Sequence, residues 1–369
     1  MSRNILFLTL RVFSATGGIE KVCKILGKAL QDINPPKTKL CILSSHDSTS
    51  QSRNNPYFSD DIFTGYSKNR IKFLLDSLKK GISADVIIIS HVNILPIAWL
   101  IKKVFSKKKL VMIAHGIEVW SLPLGYKKKM LTICDEIICV SEFTRQKVTE
   151  ITELKKVKLS VINNCIDPFL NNQKSADAIG LLSKRYGVLP EEKIMFTLTR
   201  MDANERYKGY DRVIEAMAGL TNLYPTLKYV IGGSYDETEK KYIDTILHQF
   251  NMKDKVVFTG FIKNEELNNH FLMSDFYIMP SYGEGFGIVF IEAMYFGLPV
   301  IAGNKDGSVD ALLNGRLGIL VDPMNVEEIK SAIEKVMQDS VKYIPNNKLL
   351  LDHFGYQQFK NKWEKVILN

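Results

Sequence analysis

Short apolar runs alternate with longer amphipathic segments along most of the chain. In the first half, the pattern predicts a helix at 17–30 and strands at 4–10, 39–44, 85–90, 109–114, 136–140 and 159–162. The runs VIIIS and LVMIA are apolar on both faces, as central strands of a parallel sheet are, because helices cover both sides of such a sheet. Polar loop-forming residues dominate 44–55 and predict a mobile loop.

The alternation restarts after a turn-rich segment at 163–168, where we expect a hinge. The second half carries predicted strands at 194–199, 228–231, 256–259 and 276–279 and predicted helices at 209–220, 239–250, 265–273, 288–296, 326–338 and 356–368. Two βαβ-type halves of this kind predict the α/β class, with two doubly wound domains that face a cleft. We place the domains at 1–167 and 168–352, followed by a terminal helical segment at 353–369.

The segment 280–302 combines two carboxylates with a glycine-rich turn and reads PSYGEGFGIVFIEAMYFGLPVIA. Glu284 lies in the turn, and Glu292 follows after seven intervening residues, about one turn into the predicted helix. Gly297 and Pro299 then occupy the positions at which helices stop. A strand, a glycine-rich turn and a helix in this order form the arrangement in which phosphate groups meet free backbone amides.

Two cations precede this segment at another predicted strand end. Arg200 follows the apolar strand at 194–199, and Lys208 lies just before the next helix. Ligands of open α/β sheets bind at the carboxyl ends of strands, so both cations are candidates for neutralising a diphosphate. Solvated loop charges are the alternative. Glu292, among apolar neighbours, suits two ribose hydroxyls, whereas a surface carboxylate on a helix is its alternative.

The first half offers two weaker candidates. Gly17 and Gly18 follow the first strand and open the first helix, which close strand–helix packing explains at least as well as ligand binding. His115 stands with Gly116 at the end of the strand at 109–114, where a structural and a functional role are about equally favoured.

Composition narrows the class of protein. The 369 residues are 46% hydrophobic and 24% charged, and the five cysteines form no Cys-x-x-Cys pair, which indicates a reduced cytoplasmic protein. The first apolar run is too short for a signal sequence, and no run approaches the length of a membrane span. The chain lacks Asp-x-Asp, metal-ligand spacing and any Ser-His-Asp or Walker-type pattern, so we expect no bound metal.

Charge is unevenly distributed along the chain. Residues 1–165 carry 26 Lys and Arg against 13 Asp and Glu, while residues 166–369 carry 23 against 27. Lysines cluster at 102–103, 107–109 and 127–129, beside apolar segments at 97–105 and 130–133. The cluster is either a solvated surface or a contact with anionic membrane lipid. Aromatic residues do not alternate with the cations, which argues against a nucleic-acid partner.

These motifs together resemble the retaining glycosyltransferases of family four, which have the GT-B fold and build bacterial polysaccharides and glycolipids. The resemblance rests on Glu284-x7-Glu292 in its glycine-rich context. It is extended by Leu-Thr-Arg at 198–200, Arg-Tyr-Lys-Gly-Tyr-Asp at 206–211, Gly-Gly-Ile-Glu at 17–20 and Val-Ile-Asn-Asn at 161–164. It covers nearly the whole chain. The hinge reads Asn-Asn-Cys-Ile-Asp where many relatives have Pro-Asn-Gly, so the linker geometry is the part that the resemblance predicts least.

The resemblance implies roles for individual residues in binding a nucleotide-sugar donor. Arg200 and Lys208 would bind the donor diphosphate, and Glu292 would bind the ribose hydroxyls. Ile262 would contact the nucleobase through its backbone. The resemblance also implies that the helix at 356–368 returns to the first domain, and that no metal is required.

The remaining implied roles concern the transferred sugar. Glu284 would hold it, together with the backbone amides of Gly285, Phe286 and Gly287. Gly17 and Gly18 would let the first domain approach the phosphates, and His115 would lie near the sugar. The predicted catalytic group is therefore Glu284, His115, Arg200 and Lys208.

The expected activity is transfer of a hexose-type sugar from a UDP- or GDP-sugar to a glycan, a glycolipid such as lipopolysaccharide or another lipid-linked acceptor. We expect this activity in the cytoplasm, either free or at the inner face of the cytoplasmic membrane. The two glutamates are interpreted as donor-binding groups rather than as the acid and nucleophile of a glycosidase. A nucleotide-sugar epimerase and a catalytically silent donor-binding scaffold of the same fold are the alternatives.

Overall fold

The computed structural model describes residues 3–34, 38–120, 126–151, 154, 156–173 and 175–368. Contacts divide the chain into two compact units. The first comprises Met1–Phe169 and Phe354–Asn369, and the second comprises Leu170–His353.

The first unit is built on a seven-stranded parallel sheet with the order β3-β2-β1-β4-β5-β6-β7. Its strands are β1 (Ile5–Thr9), β2 (Leu40–Ser44), β3 (Phe63–Gly65), β4 (Val86–Ile89), β5 (Lys109–Ala114), β6 (Glu136–Cys139) and β7 (Lys158–Val161). Its helices before the second unit are α1 (Gly18–Ile33), α2 (Arg70–Ser83), α3 (Leu95–Val104), α4 (Ile117–Trp120), α5 (Tyr126–Leu131) and α6 (Glu142–Thr149).

The second unit carries a six-stranded parallel sheet with the order β10-β9-β8-β11-β12-β13. Its strands are β8 (Lys193–Leu198), β9 (Leu227–Gly232), β10 (Val256–Gly260), β11 (Phe276–Met279), β12 (Val300–Gly303) and β13 (Ile319–Val321). Its helices are α7 (Ala176–Tyr186), α8 (Tyr210–Ala218), α9 (Glu237–Gln249), α10 (Asn264–Met273), α11 (Ile288–Tyr295), α12 (Ser308–Ala311), α13 (Val326–Gln338) and α14 (Asn347–Phe354).

The doubly wound α/β class predicted from the apolar runs is confirmed. The central strand β4 is buried along its whole length between β1 and β5, as the continuous run VIII requires. Predicted and observed strands agree to within one or two residues. The pattern did not reveal β3, β13, α2–α7, α12 or α14, which are short or whose apolar positions are few, exposed or on all sides.

The last helix, α15 (Tyr356–Leu368), belongs to the first unit and packs on α1. Phe359, Trp363 and Val366 form its buried stripe, as their spacing predicts. The Tyr356 hydroxyl donates to Asp32 on α1 at 2.7 Å, and the Lys109 amine donates to the Val366 carbonyl at 2.6 Å.

The segment predicted as a mobile loop is organised around one buried carboxylate. Asp47 is fully buried and accepts the backbone N–H groups of Val12 at 2.6 Å and Ser14 at 2.7 Å. The Ser44 hydroxyl also donates to it at 2.6 Å. Because a buried carboxylate needs donors to replace its water, Asp47 fixes the loop that leads into Gly17 and α1.

Candidate functional site

The loop that follows β8 lies directly against the loop that follows β11. Gly209 has φ +77°, and a Cβ at this position would lie 2.5 Å from the carbonyl oxygen of Pro280. Only glycine fits both that conformation and that distance. The backbone N–H of Tyr282 also donates to the Tyr207 carbonyl at 3.0 Å. Because β8 and β11 are adjacent in the sheet, the loops at their ends thereby form one surface.

A largely buried ion pair connects the two loops. The amine of Lys208 donates to the carboxylate of Glu284, and their side chains are 14% and 15% exposed. Burial by itself favours the neutral amine, but Glu284 and the nearby Tyr207 outweigh it and raise the pKa of Lys208 above its usual value. The lysine therefore stays protonated at neutral pH while Glu284 is beside it. The structure brings together two residues that sequence reasoning had assigned to the same ligand.

A third residue, which sequence reasoning missed, holds the glycine-rich turn in place. Asp306 follows β12 and is 1% exposed. Its Oδ2 accepts the backbone N–H of Glu284 at 2.7 Å and the hydroxyl of Ser281 at 2.8 Å, and its Oδ1 accepts the N–H of Ser308 at 2.9 Å. The next residue, Gly307, donates its N–H to the Glu284 carbonyl at 2.9 Å. The position of Asp306 just after an apolar strand was the one sequence signal that could have identified it.

Glu292 lies on α11 and is 2% exposed, as its apolar neighbours predicted. Gly287 precedes the helix with φ +81°, and a Cβ there would lie 2.4 Å from the ring of Phe290. The turn can therefore enter the helix only through glycine. Phe286 is buried at 2% exposure, so its side chain anchors the turn while the turn's backbone remains at the strand ends.

Arg200 is the more exposed of the two predicted phosphate ligands. Its guanidinium donates to Glu205, and its side chain is 67% exposed. The neighbouring Arg206 has a structural role instead, since it donates to both oxygens of the fully buried Glu239 at 2.9–3.2 Å. The Glu205 side chain is only 19% exposed, whereas the guanidinium is open to solvent and can reach a phosphate.

Two family models match the chain, and together they account for most of it. The model described as "Glycosyltransferase Family 4" matches residues 16–169, and the model described as "Glycosyl transferases group 1" matches residues 182–349. The chain belongs to the family 4 glycosyltransferases. This confirms the resemblance that the Glu284-x7-Glu292 segment suggested.

Relatives with similar sequences are also named as glycosyltransferases. An uncharacterized glycosyltransferase of Methanocaldococcus jannaschii is 31% identical over 58% of this chain and 54% of its own length. A GDP-mannose-dependent α-(1-6)-phosphatidylinositol monomannoside mannosyltransferase of Mycolicibacterium smegmatis is 30% identical over 63% of this chain and 62% of its own length. The chain thus spans only about half to three-fifths of these relatives.

Solved structures match over the whole chain. HepE from Anabaena, solved with UDP and glucose, has a TM-score of 0.79 at 17% identity and covers 99% of both chains. A glycosyltransferase from Rickettsia africae has a TM-score of 0.79 at 18% identity, covering 99% of this chain and 98% of its own. At such identity the likeness shows the fold, which is GT-B, as predicted.

The family's nucleobase position is predicted at Ile262. In the structure Ile262 follows β10 and is 8% exposed. A Cβ on Gly232, at the end of β9, would lie 2.4 Å from its Cδ1. Its side chain is therefore packed onto a strand end, which leaves its backbone as the part that can meet a ligand. Its contact with a nucleobase stays a prediction.

The candidates of the first unit lie at strand ends of the other sheet. Gly17 caps α1, and Gly18 begins it. His115 follows β5, and its Nε2 lies 3.0 Å from the Ser90 carbonyl, so that nitrogen carries a proton. Burial lowers the pKa of His115 to about 4, which keeps the ring neutral at pH 7. Glu118 accepts the His115 backbone N–H at 2.6 Å.

Part of the lysine cluster is committed to internal contacts. Lys102 donates to Asp135 at 2.7 Å, and Lys109 lies 3.6 Å from the buried Glu136 in addition to its contact with α15. Lys103 and Lys107 are exposed. The side chains of Lys127 and Lys128 lie outside the described residues. Lys102 and Lys109 therefore cannot supply the solvent-facing charge that sequence reasoning gave them.

Among the described residues, no three His, Cys, Asp or Glu side chains come together in a way that could hold a metal ion. In the same part of the chain, no helix combines the length and the apolar character that crossing a bilayer demands.

Asp306 provides a test of how the turn is held. Burial raises the pKa of Asp306 to about 6, above the usual 3.8. Between those values the folded protein binds more protons than the unfolded chain, so stability falls as pH rises through this window. We expect the unfolding free energy of wild type, relative to Asp306→Asn, to fall by on the order of 1–3 kcal/mol from pH 4 to pH 6.5. Urea titrations at several pH values measure this.

Asp254→Asn is the control for Asp306→Asn, since Asp254 is an exposed carboxylate of the same unit. The unfolding free energy of wild type relative to Asp254→Asn should change little with pH over the same range. If the unfolding free energy of wild type relative to Asp306→Asn were also independent of pH, the Asp306 carboxyl would not be held in a desolvated state.

Proposed function

We propose that this protein is a retaining glycosyltransferase that moves a hexose-type sugar from a UDP- or GDP-sugar to a hydroxyl of a glycan, a glycolipid or another lipid-linked acceptor. Such a reaction would serve assembly of a cell-surface polysaccharide. The observation that carries the proposal is the Lys208–Glu284 pair. A buried cation and the glycine-rich turn meet where β8 and β11 end, and the chain belongs to a family of glycosyltransferases.

The donor diphosphate would be bound by cations and not by a divalent metal. Lys208 is protonated, and the Arg200 guanidinium would exchange its partner Glu205 for a phosphate. Two such groups offset most of the charge of a nucleoside diphosphate and stabilise it as the leaving group. Binding of the phosphate would also free the Glu284 carboxylate for hydroxyls of the donor sugar.

Glu292 would accept hydrogen bonds from the ribose hydroxyls. A carboxylate that is 2% exposed can accept two such bonds at full strength, because water does not compete. The amides of Gly285, Phe286 and Gly287 would add donors for the sugar and phosphate oxygens.

We propose that the configuration at the anomeric carbon is retained without an enzymic nucleophile. Glu284 would bind hydroxyls of the donor sugar and Glu292 is buried, so we assign neither the role of the nucleophile of a retaining glycosidase. We infer that the departing phosphate oxygen takes the proton of the acceptor hydroxyl. The acceptor then attacks from the face that the phosphate leaves. The new bond forms to the anomeric carbon as the bond to phosphate breaks.

The acceptor is proposed to be lipid-linked on two grounds. The relative in Mycolicibacterium is named for transfer to a phosphatidylinositol mannoside. The first 165 residues of this chain also carry an excess of 13 positive charges, which favours an anionic partner.

Glu284→Ala is expected to lower the rate of sugar transfer at least 100-fold. The substitution removes the carboxylate that binds the sugar and leaves Lys208 without its partner. The measurement is product formation with a panel of UDP-, GDP- and ADP-sugars and a short lipid-linked acceptor. The panel also identifies the base and the sugar. Turnover like that of wild type in this variant would contradict the assignment.

Glu192→Ala is the matched control. Glu192 forms a similar pair with Lys228 at 3.2 Å, with both side chains 11% exposed, at the other end of β9 from the site. It should lose stability but keep its turnover.

Proton NMR of the transferred sugar tests the stereochemistry on the same reaction. The anomeric configuration of the first product should equal that of the donor. Inversion would rule out attack from the face of the departing phosphate.

A further inference from the structure

Helix α2 exposes a stripe of large apolar side chains. Ile71, Leu75 and Ile82 are 74%, 60% and 57% exposed. At 100° per residue these three positions fall within about 40° of one another on the helix. The stripe that packs on the sheet is a different one and contains Phe73, Ser77 and Gly81. A soluble protein gains nothing from such a stripe in water, so it indicates a contact that the isolated chain does not make.

Positive charge borders the stripe. Lys72 and Lys79 are exposed and lie next to it around the helix. The helix contains one acid, Asp76, which is only partly exposed and accepts a hydrogen bond from the Tyr66 hydroxyl at 3.0 Å. An apolar stripe edged by lysines, without a facing acid, is the pattern of helices that lie in the plane of an anionic membrane surface.

Helix α3 extends the same kind of surface. The two helices are neighbours, since a Cβ on Gly81 would lie 3.0 Å from the side chain of Ile101. Val104 on α3 is 66% exposed and Leu100 is 37% exposed. The exposed Lys103 holds its amine 4.2 Å above the ring of Trp99. We define the α2–α3 face by Ile71, Leu75, Ile82 and Val104 with Lys72 and Lys79.

We propose that the α2–α3 face binds the surface of a bilayer that contains anionic phospholipid. Insertion of the apolar side chains and attraction of the lysines to phosphate headgroups act together there, whereas each alone gives weak binding. A second copy of the chain fits less well, because a two-fold contact would bring lysines against lysines. The face differs from the lysine cluster expected from the sequence, of which Lys102 and Lys109 have internal partners.

The test is flotation of the purified protein with vesicles, without donor or acceptor. Wild type should bind vesicles of phosphatidylglycerol and phosphatidylcholine at least tenfold more strongly than vesicles of phosphatidylcholine alone, and less strongly as salt is added. Ile71→Ser/Leu75→Ser and Lys72→Glu/Lys79→Glu should each weaken binding to the anionic vesicles at least tenfold.

Matched controls come from the second unit. Leu181→Ser/Leu223→Ser removes apolar side chains that are 67% and 62% exposed, and Lys241→Glu/Lys253→Glu makes the same change in net charge at exposed lysines. Both should bind anionic vesicles like wild type. Thermal melts of all variants confirm that they are folded.

Equal binding by the α2–α3 variants and their controls would overturn the proposal. An absence of vesicle binding by wild type would also overturn it. If, in that case, wild type self-associates in sedimentation velocity and Ile71→Ser/Leu75→Ser does not, the face is assigned to a second copy. Vesicle binding does not depend on catalysis, so these outcomes are separate from failure of the proposed transfer reaction.

Discussion

The ion pair between Lys208 and Glu284 is the constraint on which the candidate site depends. Removing two charges from water is costly, and their mutual attraction offsets that cost only when the geometry is held firmly. Three features of the fold hold it. Gly209 lets the two loops approach, the Tyr207 carbonyl fixes Tyr282, and Asp306 fixes the backbone of Glu284.

The pair also explains how the site proposed for a diphosphate can be stable when no diphosphate is bound. Lys208 would be an isolated buried cation if Glu284 were absent, and such a group would lose its proton or disrupt the fold. With the carboxylate beside it, the lysine keeps its charge. In the proposed reaction a phosphate would replace Glu284 as the partner of Lys208 and release the carboxylate for the sugar, so binding of the diphosphate and of the sugar would be coupled through one contact.

The architecture could be predicted from local patterns, which also assigned to one ligand two residues that the structure places in contact, Lys208 and Glu284. Runs such as VIIIS specify buried parallel strands, and the Glu284-x7-Glu292 segment combines a turn, a helix start and two carboxylates within 23 residues. Residues that act across the sequence could not be found in this way. Asp47 and Asp306 each hold a loop from a neighbouring strand, and their partners become adjacent only once parallel strands align.

The lysine cluster shows the converse case, in which the sequence pattern predicted a shared role that the fold does not support. Sequence spacing treats Lys102, Lys103 and Lys109 alike, but the fold turns the first and last inward to Asp135, Glu136 and α15. Helix α2 was overlooked because its exposed apolar stripe obscures the usual amphipathic pattern. That departure from the ordinary pattern led to the α2–α3 face.

The most direct test of the account is calorimetric titration of UDP and of GDP into wild type, Lys208→Met and Lys228→Met. Lys228 is a comparably buried lysine, paired with Glu192 in the same unit, and so controls for the loss of a largely buried ion pair. Lys208→Met should weaken binding of the preferred nucleotide at least tenfold, about 1.4 kcal/mol, while Lys228→Met should bind like wild type. Equal affinity in wild type and Lys208→Met would contradict the central role given to the Lys208–Glu284 pair.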